Sequence, residues 1–394
     1  MCYLRCFFIL IFQFAQGFLY GQQINIGLWR DKIVNAFTVD IIKGNYLLTL
    51  NDRAFEVINS GNILYVSLIN DSILVAGKDR IYGKYAIMAL KAGRDSSEML
   101  IKPVDPSLTG RRYIGNINLN VKWKKLQVIL NTDMDTYIDG VVEAEGGVKA
   151  SIEYYKTQAV LCRTYALNHY DRHAEEGFNL CDGVHCQAFQ GLVTQNQLIA
   201  KAAFSTSSLV VIDSDSTLIT AAFHSNCGGE TESSANLWKL PKDYLKPVKD
   251  PYCVNQKQST WEQKVSWDKW KDYLKQNGFK ISDDTPRALY SQMAFKRRQY
   301  YKINNDSIAM KKIRTDFGFK SSFFTVQPEK DRVIIKGRGY GHGVGLCQEG
   351  AMQMALLNYS YTDIIKFYYQ GTSITDFHNL SPAKNKTFEM IFGH

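Results

Sequence analysis

The sequence predicts an α+β fold, with an N-terminal antiparallel β module followed by a mixed α/β body. Three observations carry this expectation. Short β-branched runs separated by turn residues fill Ile24 to Val128, helical periodicity sets in after Asp135, and a glycine-rich loop leads into a helix near the C-terminus. The boundaries that follow are 1–21 for a signal peptide, 22–128 for the β-rich part, 129–376 for the mixed body and 377–394 for a tail.

The N-terminus, MCYLRCFFILIFQFAQGFLYGQQ, has Arg5 before a short apolar core, Phe7 to Phe14, and then small residues suited to cleavage. This pattern predicts a secretory signal, shorter than a membrane span, with an uncleaved anchor as the competing reading. Cys2 and Cys6 would leave with it, and no later segment is long and apolar enough to cross a bilayer. The mature chain is therefore expected to be exported, to periplasm or cell surface, with its remaining cysteines under oxidising conditions. The formal net charge of +9 is spread in clusters such as Lys122-Trp123-Lys124-Lys125. It suits an anionic polymer, and cell-wall glycan is one. No nucleic-acid module accompanies it, so nucleic acid is not an expected partner.

INIGL, AFTVDII, YLLTL, FEVIN, ILYVSLI, SILVAG and EMLIKPV read as successive strands, and LQVILNTDMD as the last strand before the helices. Helices are predicted over Thr136–Glu145, Ile152–His173, Leu198–Ser205 and Gln348–Leu357. Leu209–Ile212 with Leu218–His224 reads as a hairpin. Trp261 to Gly278 has amphipathic helical spacing and a glycine stop. Arg332–Gly337 reads as a strand.

On the first helix, at about 100° per residue, Glu143 shares a polar stripe with Thr136 and Asp139, while Glu145 continues the face of Ile138 and Val142. Glu143 is expected to be solvated. Glu145 is expected to point inward at the negative end of the helix dipole, where its protonated form is favoured, as a general acid requires. A half-exposed helix-end glutamate is the competing reading. In the second helix, Lys156, Gln158, Arg163 and Tyr165 interrupt an apolar pattern; Arg163 would hold either a substrate carboxylate or an internal Asp or Glu. His224 and Ser225, in FHSNCGGETE, can line a cleft from a strand end. Cys227 is expected to form a disulfide with Cys253. In GRGYGHGVGLCQEGA, five glycines in nine residues let backbone approach a ligand, and His342 and Gln348 are the side chains able to reach it; Cys347 reads as a buried small hydrophobe. No GK[ST] follows, which argues against a nucleotide loop.

Together YIDGVVEAE, KTQAVLCRTYAL, CQAFQG, FHSNCGGETE, RTDFGFKSSFF and GRGYGHGVGLCQEGAMQMA resemble, in order, the stage II sporulation protein D family (SpoIID/LytB). The resemblance spans roughly Ile24 to Ile374 and implies a SpoIID-type catalytic body acting on peptidoglycan. Sporulation members are lytic transglycosylases on peptide-stripped glycan strands, while LytB-type members were described as amidase enhancers. The resemblance therefore implies glycan strands, and a cell-wall amidase, as partners. The family's general acid/base glutamate falls on Glu145. Where the family pattern has Met-Pro or similar after it, this chain has Gly146-Gly147.

His173, Cys181, His185 and Cys186 offer two imidazoles and two thiols, a full set for structural Zn²⁺, in the order zinc-carrying members show. His169 could replace His173. A Cys181–Cys186 disulfide is the rival, and a catalytic thiol lacks an activating partner. Gln187 would then face the cleft. Three functions stay open from sequence: a lytic transglycosylase, a glycan-binding amidase enhancer without catalysis, and a zinc-dependent cell-wall hydrolase.

Overall fold

The structure, a computed structural model, describes residues 22–381 apart from residue 95. Residues 1–21, where the signal peptide is expected, and residues 382–394 lie outside the described residues. Two sheets form the N-terminal half. The seven-stranded one runs Leu180–Cys181, Gln23–Leu28, Lys125–Asp133, Asn116–Lys122, Ile87–Ala92, Asn45–Leu50, Arg53–Asn59, and the six-stranded one Arg111–Ile114, Glu98–Asp105, Ala36–Lys43, Ile63–Ile69, Ser72–Ala76, Ile81–Tyr85. Their pairing is antiparallel except where Leu180–Cys181 joins Ile26–Gly27 in parallel. Alternation sets which face is buried: along Ala36–Lys43, Phe37, Val39 and Ile41 point into the core.

The helices are α1 (Met134–Gly146), α2 (Ile152–Asn168), α3 (Gln197–Ser205), α4 (Trp267–Gln276), α5 (Met310–Phe317), α6 (Gln348–Leu356) and α7 (Tyr361–Tyr368). Helix α2 is buried nearly all round, from Tyr154 to Leu167, because α1, α3, α6 and α7 all pack on it. One apolar core runs from Ile24 in the first strand through Val141 and Leu161 to Leu380. The β-rich part and the body therefore share an interior, and the expected division near residue 128 is not a break between cores. Phe377 and Leu380 are buried, so the packed body also extends past the expected start of the tail.

Residues 260–338 build a second core from Val265, Trp270, Tyr301, Ile313, Val326 and Ile335. It lies on a three-stranded sheet, Thr260–Ser266, Arg332–Arg338 and Phe324–Pro328, with α4 and α5. Here the helix predicted over Trp261–Gly278 is corrected: TWEQKVS pairs with Arg332–Arg338 and only Trp267–Gln276 is helical. The predicted hairpin is also corrected. Leu209–Ile212 pairs with Ser373–Asp376, and Phe223–His224 pairs in parallel with Leu346–Cys347, leaving one bridge between Ile212 and Leu218. Partners distant in sequence won over the local turn. Among the described residues no helix is long and apolar enough to cross a membrane.

Candidate active site and metal centre

Helix α1 starts where the Asp133 carboxylate accepts the N–H groups of Asp135 and Thr136, and it buries Tyr137, Ile138, Val141 and Val142. Gly147, at φ 73°, ends it. Glu145 is in the last turn and half-buried. Two contacts from distant segments fix it. The Ala188 N–H donates to Glu145 Oε1 at 2.7 Å, and Gln348 Nε2 donates to the Glu145 carbonyl at 2.9 Å. Tyr154 Oη donates to the Gly146 carbonyl at 3.3 Å, so tertiary partners satisfy carbonyls that a helix end leaves open. Oε2 of Glu145 has no hydrogen-bond partner among the described residues. Glu143, expected in solvent, instead accepts the N–H groups of Thr194 and Gln195 at 3.0 and 2.9 Å.

The cysteine loop that delivers Ala188 is anchored at both ends. Leu180–Cys181 extends the N-terminal sheet, Asp182 accepts from the Trp29 N–H (3.0 Å) and Arg111 (2.7 Å), and Phe189 packs on Tyr137, ring centroids 5.1 Å apart. Within the loop the donor atoms of His173, Cys181, His185 and Cys186 all lie within 4.8 Å of one another. His173 Nε2 is 3.4 Å from Cys186 Sγ, and His185 Nδ1 is 3.6 Å from Cys186 Sγ and 3.9 Å from Cys181 Sγ. The edges of a tetrahedron with bonds of the zinc–sulfur and zinc–nitrogen kind are about 3.3–3.8 Å, so this donor set fits such an ion. His173 Nδ1 meets Glu176 Oε1 at 2.6 Å, and Arg30 in turn pairs with Glu176 at 2.9 Å. That carboxylate leaves Nε2 as the nitrogen aimed at the cluster. The Cys186 thiol is pulled down to about 6, chiefly by its hydrogen bond with Cys181, whose own thiol is pushed up by the same contact. Both cysteines are free thiols in the structure. His169 lies outside the cluster, stacked on Tyr165 with Nδ1 on the Tyr165 carbonyl.

His224 and His342 form a second group, ring centroids 5.4 Å apart. Nδ1 of His224 donates to the Val344 carbonyl (3.1 Å), and Nδ1 of His342 accepts the Val344 N–H (3.0 Å). Burial lowers His342 to about 4 and His224 well below its ordinary value, so both rings are neutral near pH 7. Gly341, at φ 110°, admits this approach, since a Cβ there would sit 2.8 Å from His224 Cβ. Phe223–His224 and Leu346–Cys347 share one ladder, which places the histidine pair one residue from Gln348. Ser225 is half-buried beside it, its carbonyl accepting the Glu349 N–H.

Several expected ligand contacts are corrected. Arg163 is fully buried and spent on Asp135 (2.7 Å) and the carbonyls of Ala203, Thr206 and Leu209. An Arg among apolar neighbours took the internal carboxylate. Lys156 pairs with Glu153 at 2.7 Å, which also accepts the Tyr361 N–H at the start of α7. Tyr165 accepts from Arg172, which also donates to the His185 carbonyl, so it braces the cysteine loop. Gln158 is buried under Gly146, and Gln187 is buried with Oε1 on Tyr137 Oη; neither faces an open cleft. The expected Cys227–Cys253 disulfide is absent: both are free thiols, 3.3 Å apart, with Cys347 and Asp250 in the same nest. Glu176, the Ala188 N–H and Asp182 were invisible to sequence reading, because each acts across long separations or through backbone. A cavity of about 680 Å³ opens at the other end of α1, beside Asp133, Asp135 and Asp139. Asp135 there is already held by Arg163 and Ser207.

Comparison with known proteins agrees with this layout. The family profile described as SpoIID, Stage II sporulation protein, matches residues 122–212, which contain α1, α2, the cysteine loop and α3. An uncharacterized protein of Brachyspira hyodysenteriae is 28% identical over 72% of this chain and 76% of its own length. The Stage II sporulation protein D of Bacillus subtilis is 27% identical over 64% of this chain and 76% of its own. A Bacillus subtilis protein named Amidase enhancer is 28% identical over 69% of this chain, but the match spans only 45% of that longer relative. Residues 122–212 thus match the SpoIID family profile, and the chain is similar over most of its length to proteins named Stage II sporulation protein D.

Proposed function

We propose that this protein is an exported peptidoglycan lytic transglycosylase in which Glu145 is the general acid/base. The observation that carries the reading is convergence: the cysteine loop, through Ala188, and the start of α6, through Gln348, both bind Glu145. Glu143, the neighbouring carboxylate, is occupied elsewhere, which favours chemistry by one carboxyl. In that chemistry Glu145 protonates the bridging oxygen between N-acetylmuramic acid and N-acetylglucosamine. As a carboxylate it then takes the proton of the muramic C6 hydroxyl while that oxygen closes on C1. The nucleophile belongs to the sugar, so proximity replaces an activated water and a second carboxylate. The Ala188 N–H holds one carboxylate oxygen and leaves the other for the proton.

Zinc is proposed at His173, Cys181, His185 and Cys186. A site with four protein donors has no open coordination position, and its contribution would be to order residues 181–188 against α1. This weighs against the zinc-hydrolase reading. The competing reading is a glycan-binding protein that stimulates a cell-wall amidase, favoured by the relative named Amidase enhancer and by a 680 Å³ cavity whose lining does not include Glu145.

Digestion of peptide-free glycan strands followed by mass spectrometry separates the two. The expected products end in 1,6-anhydro-N-acetylmuramic acid and vanish with Glu145→Gln. Reducing ends would mean hydrolysis, and intact strands would leave the enhancer reading.

A further inference from the structure

Beyond the first cluster the chain contains another nest of donor atoms. The thiols of Cys227, Cys253 and Cys347 and the carboxylate of Asp250 are all fully buried. Their donor atoms lie within 4.8 Å of one another, with Cys227 Sγ 3.3 Å from Cys253 Sγ and 3.2 Å from Asp250 Oδ2. We propose that these four residues form a second structural site for zinc, with three sulfur donors and one carboxylate oxygen.

Four features support a cation there. First, these two separations are within about half an ångström of the edges of a tetrahedron around such an ion, about 3.5–3.8 Å. Second, backbone donors point at sulfur: the Cys227 N–H at Cys347 Sγ (3.2 Å) and the Gly229 N–H at Cys253 Sγ (3.3 Å). Such donors favour thiolates, the form a metal takes. Third, the carboxylate is aimed. Tyr368 Oη donates to Asp250 Oδ2 at 3.0 Å and the Tyr252 N–H to Oδ1 at 2.9 Å, yet Asp250 has no ion pair with a basic side chain among the described residues. A buried carboxylate beside three thiols without a cation is costly. Fourth, α6 closes directly on this carboxylate, since a Cβ on Gly350 would lie 2.4 Å from Asp250 Oδ2, and so the carboxylate is held in place against the sulfurs.

The charge of three thiolates and a carboxylate exceeds that of one divalent ion. The backbone N–H groups at sulfur and the Tyr368 hydroxyl spread part of that charge, while the buried Arg297, which donates to the Cys227 carbonyl at 2.7 Å, is itself paired with Glu232 at 3.8 Å. The Asp250-Pro-Tyr-Cys253 spacing matches the two-residue spacer of metal knuckles. Cys227 follows the strand of His224, and Cys347 immediately precedes Gln348. The ion would therefore tie the histidine ladder to the loop at 250–253 beneath the residue that holds Glu145. None of this depends on the proposed reaction.

Zinc content of the full chain, exported in zinc-supplemented medium and purified without chelator, tests the site. Two ions per chain are expected. Cys347→Ala should lose one of them, and Cys181→Ser with Cys186→Ser should lose the other. Peptide mapping that joins Cys227 to Cys253, or a zinc content unchanged by Cys347→Ala, would overturn the proposal. Should Cys347→Ala fail to fold, zinc X-ray absorption of the unaltered chain decides. A mean first shell of more than two sulfurs per zinc supports the site; two sulfurs or no zinc refutes it.

Discussion

Gln348 reaches across more than 200 residues of sequence to hold one carbonyl, and that makes it a positioning group. Gln348→Leu keeps the side-chain volume and deletes the donor. On the proposed reaction, glycan-strand cleavage should lose about tenfold or more in kcat with little change in KM, because only the aim of Glu145 alters. Equal losses in binding would count against the role. Glu176 acts one shell outside the first cluster. Glu176→Gln removes the charge that orients His173 and pairs with Arg30, so zinc affinity measured by chelator competition should fall about 10–100-fold. Asp139 gives a pH signature. Burial raises its carboxyl from 3.8 to about 7, against the Gly140 N–H, with Asp135, Glu143 and Asp133 adding repulsion. The folded state thus holds this proton more tightly than the unfolded one. The stabilising contribution is complete below pH 3.8 and is lost as pH rises towards 7. Asp139→Asn should therefore gain Tm relative to wild type at pH 8 compared with pH 5. An equal difference at both pH values would refute this assignment.

At the scale of elements, Gly140 shows how α1 and the cysteine loop define each other. Alanine is normally the better helix former by ~1 kcal/mol. Here a Cβ would lie 2.2 Å from the Gly191 carbonyl oxygen and 2.6 Å from Phe189. Gly140→Ala should destabilise by about 1–3 kcal/mol in thermal or denaturant unfolding and displace the loop that carries Ala188. Stabilisation would mean the loop yields freely. Such contacts bear on what was legible in the sequence. Helices α1, α2, α3 and α6 were read within a few residues, because their periodicity, caps and glycine stops are local. The clustering of His173, Cys181, His185 and Cys186 is legible for the same reason, since its ends are thirteen positions apart. What failed was non-local. Arg163 had two candidate partners and spacing could not choose between them, and TWEQKVS became a strand because Arg332–Arg338 was there to pair with it. In sequence, the nest of Cys227, Asp250, Cys253 and Cys347 reads as one disulfide and, at Cys347, a buried small hydrophobe. The pair at 227 and 253 was visible locally, whereas Cys347 joins it only through the parallel ladder.

For the whole molecule, the sequence places a boundary near residue 128, where strand-rich sequence gives way to helices. The interior disregards it. Gln23–Leu28 is flanked by Lys125–Asp133 on one side and by Leu180–Cys181 of the cysteine loop on the other, so the first strand is a floor for both halves. Asp182 draws on Trp29 and Arg111, and Glu176 draws on Arg30, each reaching back into the β-rich part. A chain starting at residue 129 would lose these partners. It would also expose Ile129, Leu130, Tyr137 and Phe189 along the face that Ile26, Trp29 and Tyr113 now cover. At about 25 cal/mol per Å² of apolar surface, uncovering even a few such side chains costs several kcal/mol, comparable with the whole stability of a domain. Residues 129–376 expressed alone should therefore fail to give a cooperative unfolding transition, and co-expression with residues 22–128 should restore one. The isolated segment would have to melt cooperatively and keep zinc for the two halves to count as separate domains, and only then would the sequence boundary be a structural one.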